Sequence, residues 1–475
     1  MTKFRFPISC LRLCMLSVLF VTAGRSVTAQ SRPNVIVIMV DDMGYGDLGC
    51  YGSKLIRTPR LDRMAADGIR FTDFYSGTSV CAPSRAALMT GFHTGHTAVR
   101  GNREIKPEGQ YPLPDSSFTM AELFRGAGYA TGGFGKWGLG SPGSSGDPMH
   151  QGFMRFYGYN CQREAHHLYP DHLWSDKLRV ALDNRFDQQR QYAPDLIQEQ
   201  ALSFISAHAG RPFFMYLAYT PPHAALQVPP GDSAFEAYKK IFNEQPQPIA
   251  EWKGTGYQPN PYPKAAYAAM VSRIDRYVGE VLDRLKAHGI DRQTLVLFTS
   301  DNGPHKEGGN DPAYFNSAAG FRGVKRSLYE GGMRVPLIAH WPAVIRKPSV
   351  TDHVSASWDL LPTFAALLGK PLPAAVDGLS LLPLLQGRRG QMVHPYLYWE
   401  FHEENGRQAV RMGYWKGVRQ QLVKQPDGPI ELYDLRNDPS ESKDLSASHP
   451  DVVARIGQIM KTARVEHPDF PLIRR

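Results

Sequence analysis

A cysteine and an arginine stand four residues apart in the segment Cys81-Ala82-Pro83-Ser84-Arg85, which continues into an alanine- and leucine-rich stretch. This pattern predicts a short helix that begins at Cys81. A helix start presents free backbone N–H groups and the positive end of the helix dipole, which favour anionic chemistry. Residues four apart share one helix face, so we expect Arg85 to project from the same side as Cys81. From this spacing alone, an anionic reaction centre stands beside a plainer interpretation, a buried cysteine with a surface arginine.

Two acidic segments each follow an apolar run of strand-like sequence. Asp41-Asp42 follows the run at 34–40, and Asp301-Asn302 follows the run at 294–299. In a parallel sheet, ligands bind outside the carboxyl ends of the strands, so we expect the two segments to meet there. Three carboxylates and an amide oxygen are a donor set that suits a hard divalent cation. The spacing predicts a metal site at this edge.

The string from Cys81 to Arg85, with Thr90-Gly91 after it, resembles the signature of the sulfatase family. The resemblance extends over about residues 34–336, because further blocks of that family match in chain order around Lys136, His223 and Lys325. It implies that Cys81 is oxidised to formylglycine (3-oxoalanine), whose hydrate is the nucleophile. It also implies one Ca²⁺ ion, held by an oxygen of the modified Cys81 and by Asp41, Asp42, Asp301 and Asn302.

The resemblance further implies roles for the basic side chains. Arg85, Lys136 and Lys325, with Ca²⁺, would surround the non-bridging oxygens of a transferring sulfuryl group. Either His223 or Lys325 would protonate the departing alcohol. Conversion of Cys81 to formylglycine requires a separate maturation enzyme as a partner.

One position departs from the family pattern. Where the family has a histidine after Gly-Lys-Trp, this sequence has Gly138, and His305, His166 or His167 are the candidates for a substitute. The departure leaves open a non-catalytic relative that binds sulfated glycans. A phosphonate or phosphate ester hydrolase of the alkaline-phosphatase superfamily is a second alternative to a sulfatase.

The segment at 161–169 is similar to segments in exported bacterial carbohydrate sulfatases of the arylsulfatase A type. Its polar and aromatic side chains could bind sugar hydroxyls and stack on a ring, or could simply pack a loop. A sulfated carbohydrate is therefore the predicted substrate, with galactose or N-acetylgalactosamine preferred. The predicted substrate contacts are Arg163, His166, His167, His305, Asn310 and Asp311. Tyr169, in the same segment, and Trp174 are further candidates.

Apolar runs alternate with amphipathic segments along most of the chain, which predicts an α/β fold. The resemblance implies the alkaline-phosphatase-like form: a large mixed, mostly parallel sheet flanked by helices, in a catalytic domain over 30–385. Short strand-like segments after residue 386 predict a C-terminal α+β subdomain with an antiparallel sheet over 386–475. Polar stretches at 141–148, 162–190 and 229–263 are predicted to be substrate-facing loops.

The first 29 residues have the pattern of a secretory signal peptide: Lys3 and Arg5, an apolar stretch, then small residues before Gln30. The apolar stretch of roughly 11 residues is shorter than the ~20 that a membrane-spanning helix needs. The sequence therefore predicts export to the periplasm or the cell exterior, without stable membrane insertion. These residues carry four of the 54 basic residues and none of the 45 acidic ones, so the net charge of the remainder falls from +9 to +5. With no basic stripe, nucleic-acid binding is not expected.

Removal of that segment would leave Cys50, Cys81 and Cys161, which is an odd number in an oxidising compartment. If Cys81 is the modified residue, the other two could form a disulfide or remain as two free thiols.

Overall fold

The computed structural model describes residues 1–3, 32–185, 188–254, 256–345 and 347–473. Most of the predicted signal peptide lies outside the described residues. The described residues from 33 onward form one compact unit. Among the described residues, every helix is too short or too polar to cross a membrane.

The unit contains sixteen strands and eleven α-helices in the described part of the chain. The strands are β1 (Asn34–Val40), β2 (Ile69–Phe71), β3 (Phe74–Tyr75), β4 (Ala130–Lys136), β5 (Arg155–Tyr159), β6 (His172–Ser175), β7 (Leu178–Ala181), β8 (Phe213–Tyr219), β9 (Thr294–Ser300), β10 (Leu337–His340), β11 (Ser349–Thr351), β12 (Ser355–Ala356), β13 (Leu397–Phe401), β14 (Arg407–Met412), β15 (Trp415–Arg419) and β16 (Ile430–Asp434). The helices are α1 (Pro59–Ala66), α2 (Cys81–Thr90), α3 (Met120–Gly126), α4 (Ala193–Ala207), α5 (Ser233–Ile241), α6 (Pro263–Ala287), α7 (Pro312–Phe315), α8 (Glu330–Met333), α9 (Leu360–Leu368), α10 (Leu382–Leu385) and α11 (Pro450–Thr462).

Ten strands form one mixed sheet in the order β11-β2-β10-β9-β1-β8-β4-β5-β6-β7. The central strands β9, β1, β8, β4 and β5 run parallel to their neighbours within that group. β1 is buried along its whole length because both of its faces are covered. Its alternate residues belong to two different apolar clusters, one with α1, α4 and α6 and the other with α2, α3 and α9. The predicted α/β fold with a mixed, mostly parallel sheet is confirmed.

β13 to β16 form a separate antiparallel sheet in chain order. One face of this sheet packs on α11 through an apolar cluster that includes Val410, Leu432 and Ile456. The other face packs on residues of the main body, among them Tyr75, Val80 and Leu328. The predicted C-terminal antiparallel sheet is confirmed.

Two of the loop predictions are wrong. The segment at 162–190, predicted to be a loop, contains β6 and β7, which extend the large sheet at its edge. The segment at 229–263 contains α5. α9 begins only at Leu360, because Ser355 and Ala356 before it pair with β3. Cys50 and Cys161 are both free thiols, so the alternative of a disulfide between them is also wrong.

Candidate active site

The site lies at the carboxyl ends of four adjacent parallel strands. Asp41 and Asp42 follow β1, Asp301 and Asn302 follow β9, Lys136 is the last residue of β4, and His223 follows β8. α2 brings Cys81 and Arg85 to the same edge. The convergence that the two acidic segments predicted is therefore present.

Cys81 is the first residue of α2 and is buried, with 3% of its surface exposed. Its Sγ atom donates a hydrogen bond to Asp41 Oδ1 at 3.2 Å. Burial, together with the charge of Asp41, raises the pKa of the thiol well above its ordinary value. The helix start was expected to lower the pKa of the Cys81 thiol. That effect is outweighed, because a thiolate at this position would be buried beside the carboxylate of Asp41. As a thiol, Cys81 stays protonated and is a poor nucleophile.

The acidic residues form a buried cluster held by hydrogen bonds. The backbone N–H of Asp42 donates to Asp301 Oδ1 at 3.1 Å, and Asn302 Nδ2 donates to Asp42 Oδ1 at 2.7 Å. Asp42 has a positive φ of 66°, a left-handed conformation that is uncommon for a non-glycine residue and here aims its carboxylate inward. Burial and the charge of Asp41 raise the pKa of Asp301 to about 7. These buried carboxylates lie close enough to repel one another, so a further positive charge between them would be stabilising.

Three cations contact this cluster. Lys136 Nζ contacts Asp41 Oδ2, and Lys325 Nζ lies 2.7 Å from Asp42 Oδ2. Arg85 Nη2 lies 2.7 Å from Asp301 Oδ2, while its Nη1 donates to the carbonyl of Lys136 at 2.8 Å. Although burial alone would raise the pKa of Asp41, the adjacent cations, Lys136 first among them, hold it well below its ordinary value.

His223 completes the polar hollow. Its Nδ1 contacts the carbonyl oxygen of Ala224, which fixes the proton on Nδ1 and leaves Nε2 as an acceptor. Lys325 Nζ lies 3.1 Å from that Nε2. Burial and the charge of Lys325 depress the pKa of His223 well below its ordinary value, so the imidazole is neutral and the proton of the pair resides on Lys325.

The cluster fits a hard divalent cation. The side chains of Asp41, Asp42, Cys81 and His223 offer ligand atoms within 4.8 Å of one another. The Oδ1 atom of Asn302 is buried and has no hydrogen-bond partner among the described residues. An unpartnered amide oxygen beside three carboxylates is the all-oxygen environment that Ca²⁺ prefers.

A cavity of about 200 Å³ opens onto Cys81, His223 and Lys325, and we call it the reaction cavity. The predicted contacts Arg163 and His166 also line it. The ring of His166 stacks on that of His223 at a centroid distance of 4.9 Å. Gln162, from the predicted segment at 161–169, lines it as well. Sequence reasoning missed five further lining residues, which carry no motif of their own: Asn102, Glu104, Gln110, Tyr257 and Arg326.

A second, larger cavity of about 810 Å³ adjoins the first, and we call it the outer groove. Arg163 and His166 line both cavities, so they mark the passage between them. His167 and Trp252, whose rings lie 5.1 Å apart, line the outer groove, as does Tyr169. The groove therefore combines aromatic faces with polar side chains.

The remaining predicted contacts have supporting positions in the structure. His305 lies beside His223, with ring centroids 5.8 Å apart, and its Nε2 bonds the carbonyl of Pro222 at 3.0 Å. Asn310 Nδ2 donates to the carbonyl of His305 at 2.8 Å. The Asp311 carboxylate caps α7 by accepting from the N–H of Tyr314. Trp174 donates to Glu108 Oε1 at 2.7 Å.

Comparison with known proteins assigns the family. A model of the sulfatase family matches residues 33–370, and a model described as N-sulphoglucosamine sulphohydrolase, C-terminal, matches residues 321–466. Human arylsulfatase A is 33% identical over 93% of this chain and 89% of its own length. Mouse N-acetylgalactosamine-6-sulfatase is 32% identical over 82% of this chain and 72% of its own.

Solved structures agree with that assignment. The crystal structure of Ps i-CgsB in complex with k-i-k-neocarrahexaose superposes with a TM-score of 0.74, at 27% identity over 91% of this chain and 93% of that one. The sulfatase-family match at 33–370 includes every segment that builds the site. The chain belongs to the sulfatase family and is a sulfatase.

Proposed function

We propose that this protein hydrolyses a sulfate ester of a carbohydrate, with residue 81 acting as formylglycine beside a single Ca²⁺ ion. The observation that carries the proposal is the buried contact of Cys81 with Asp41, inside a cluster that also holds Lys136, Arg85 and Lys325. A protonated thiol next to a carboxylate is unsuited to nucleophilic attack. The same position suits an aldehyde hydrate, whose hydroxyls can attack sulfur and then expel sulfate.

The calcium ion would be held by Asp41, Asp42, Asp301 and Asn302, and would supply Lewis-acid stabilisation of charge at the reacting oxygens. The basic side chains of the protein supply the remaining positive charge and the proton for the leaving group. Lys136 and Arg85 both lie next to Asp41. Their positive charges would stabilise the non-bridging oxygens of the sulfuryl group during transfer. Lys325 carries the proton of the pair that it forms with His223 and faces the same cavity. This pair is the general acid that protonates the departing sugar oxygen.

A carbohydrate fits the cavities better than a small aryl ester does. The outer groove is about four times the volume of the reaction cavity and continues from it past Arg163 and His166. Aromatic faces with polar neighbours suit sugar rings and their hydroxyls. One relative is named N-acetylgalactosamine-6-sulfatase and one similar structure contains a neocarrahexaose. We propose a sulfated galactose or N-acetylgalactosamine unit as the substrate.

Maturation and location complete the proposal. A separate formylglycine-generating enzyme in the producing cell would oxidise Cys81, and the signal-like first 29 residues would direct the protein to the periplasm or beyond. The test is a screen of defined sulfated mono- and oligosaccharides for released inorganic sulfate, with the Cys81→Ala variant as control. We expect release from at least one sulfated galactoside and none with the variant. Equal release by both proteins would contradict the assignment of Cys81.

A further inference from the structure

Gln162 has a buried side-chain amide without a partner. The residue is 7% exposed and lines the reaction cavity together with Cys81. Its backbone N–H donates to Gln110 Oε1 at 3.3 Å, so the main chain is held in place. Neither Oε1 nor Nε2 of its own amide has a hydrogen-bond partner among the described residues. A buried amide without hydrogen bonds lowers the stability of the fold. At a cavity wall, such an amide is free to form those hydrogen bonds with a bound ligand.

The amide occupies the space beside Gly138. Gly138 has a φ of +75°, and a Cβ atom built there would lie 2.2 Å from Gln162 Nε2 and 3.0 Å from its Cδ. A side chain at 138 would therefore require the amide of Gln162 to move out of this volume. Where the family pattern has a histidine, this chain places a neutral amide that reaches the site from a different segment.

The donor and acceptor groups of the Gln162 amide indicate which kind of ligand group it binds. A primary amide offers both donors and an acceptor, whereas a sulfate oxygen only accepts. Lys325 and Arg163 already line the cavity and suit the sulfate oxygens. A hydroxyl group both donates and accepts, so it can satisfy both ends of the amide. We infer that Gln162 binds a hydroxyl group in the reaction cavity and fixes the orientation of the reacting group that carries it.

This inference rests on the proposed function, and two hydroxyl sources share the required chemistry. One is a sugar hydroxyl next to the sulfate ester, in which case Gln162 determines specificity. The other is a hydroxyl of hydrated residue 81, in which case Gln162 positions the nucleophile. The test replaces Gln162 with methionine, which keeps the length of the side chain and removes both polar atoms.

The first arm measures binding without turnover. In the Cys81→Ala background, the Kd of galactose 6-sulfate and of 4-nitrophenyl sulfate is measured with and without Gln162→Met. If the hydroxyl belongs to the sugar, the Kd of galactose 6-sulfate rises about ten- to a hundredfold and that of nitrophenyl sulfate stays within twofold. The second arm uses the matured protein and a hydroxylamine probe that captures the free aldehyde. If the hydroxyl belongs to residue 81, Gln162→Met destabilises the hydrate and oxime formation is about tenfold faster.

The matched control is Gln151→Met. Gln151 is also buried, at 2% exposure, and its amide oxygen also lacks a partner, but it lines neither cavity. The control is expected to change neither readout. Unchanged binding and an unchanged oxime rate in Gln162→Met would overturn the inference. Absence of any aldehyde in the parent protein would instead contradict the proposed function. The Kd values measured in the Cys81→Ala background would then decide the inference about Gln162.

Discussion

Replacement of Lys325 by methionine should affect substrates according to their leaving group. Lys325 Nζ makes two contacts, with Asp42 Oδ2 at 2.7 Å and with His223 Nε2 at 3.1 Å. The first contact is a charge-assisted hydrogen bond, and its loss costs about 1.5–3 kcal/mol, or roughly ten- to a hundredfold in rate for any substrate. The second contact places the proton that a departing alcohol needs. Its loss should remove a further ~10²–10⁴-fold, but only for a poor leaving group.

The assay compares kcat for a sulfated galactoside and for 4-nitrophenyl sulfate in the same variant. Nitrophenolate delocalises its charge and leaves without protonation, so it reports the first effect alone. We expect Lys325→Met to lose about 10³–10⁶-fold on the sugar sulfate and about 10–10²-fold on the nitrophenyl ester.

Lys136→Met is the matched control. Lys136 contacts Asp41 through an equally buried ammonium group, and the described contacts of its Nζ do not include His223. Its loss should lower both rates by similar factors. Equal losses on both substrates in Lys325→Met would refute the assignment of Lys325 and His223 as the general acid.

Three further outcomes follow from buried charges. Arg85→Met leaves Asp301 without its 2.7 Å partner, so the free energy of unfolding in urea should fall by about 3–5 kcal/mol, and a loss below about 1 kcal/mol would contradict the buried pairing. Lys416→Met removes the cation between Glu330 and Glu441, so unfolding should be easier by a similar ~3–5 kcal/mol while kcat of the folded protein stays within about twofold; a large fall in kcat would show that this network reaches the site. Chelation of calcium should lower the midpoint of thermal unfolding, and Ca²⁺ at about 100 times its Kd should restore ~2.7 kcal/mol. Asp301→Asn should show a much smaller response to Ca²⁺, and a full response in that variant would contradict the proposed ligand set.

The central sheet and the acidic cluster could be predicted because their signals are local. A strand covered on both faces must be a continuous apolar run, and 34–40, 213–219 and 294–299 are such runs. The polar residues that end them then meet at one edge by the geometry of parallel strands. The position of Cys81 at a helix start was equally readable from its motif.

Non-local pairing and burial explain what was missed. β6 and β7 lie at the sheet edge and are partly exposed, so they lack an apolar run and are defined by pairing with β5. Ser355 and Ala356 precede α9 in the sequence but form a strand, because they pair with β3. The high pKa of the Cys81 thiol follows from its burial beside Asp41, which no spacing in the sequence reveals. Gln162 lies in the segment that was predicted to bind sugar, but its position beside Gly138 depends on how two loops pack and could not be predicted.

The mass of the peptide that contains residue 81 tests the central claim most directly. In a preparation that releases sulfate, formylglycine makes this peptide ~18 Da lighter than its cysteine form, since sulfur and two hydrogens are lost and one oxygen is gained. We predict that the lighter, aldehyde-bearing peptide rises in proportion to specific activity across preparations. Full activity in protein whose residue 81 is entirely unmodified cysteine would contradict the account.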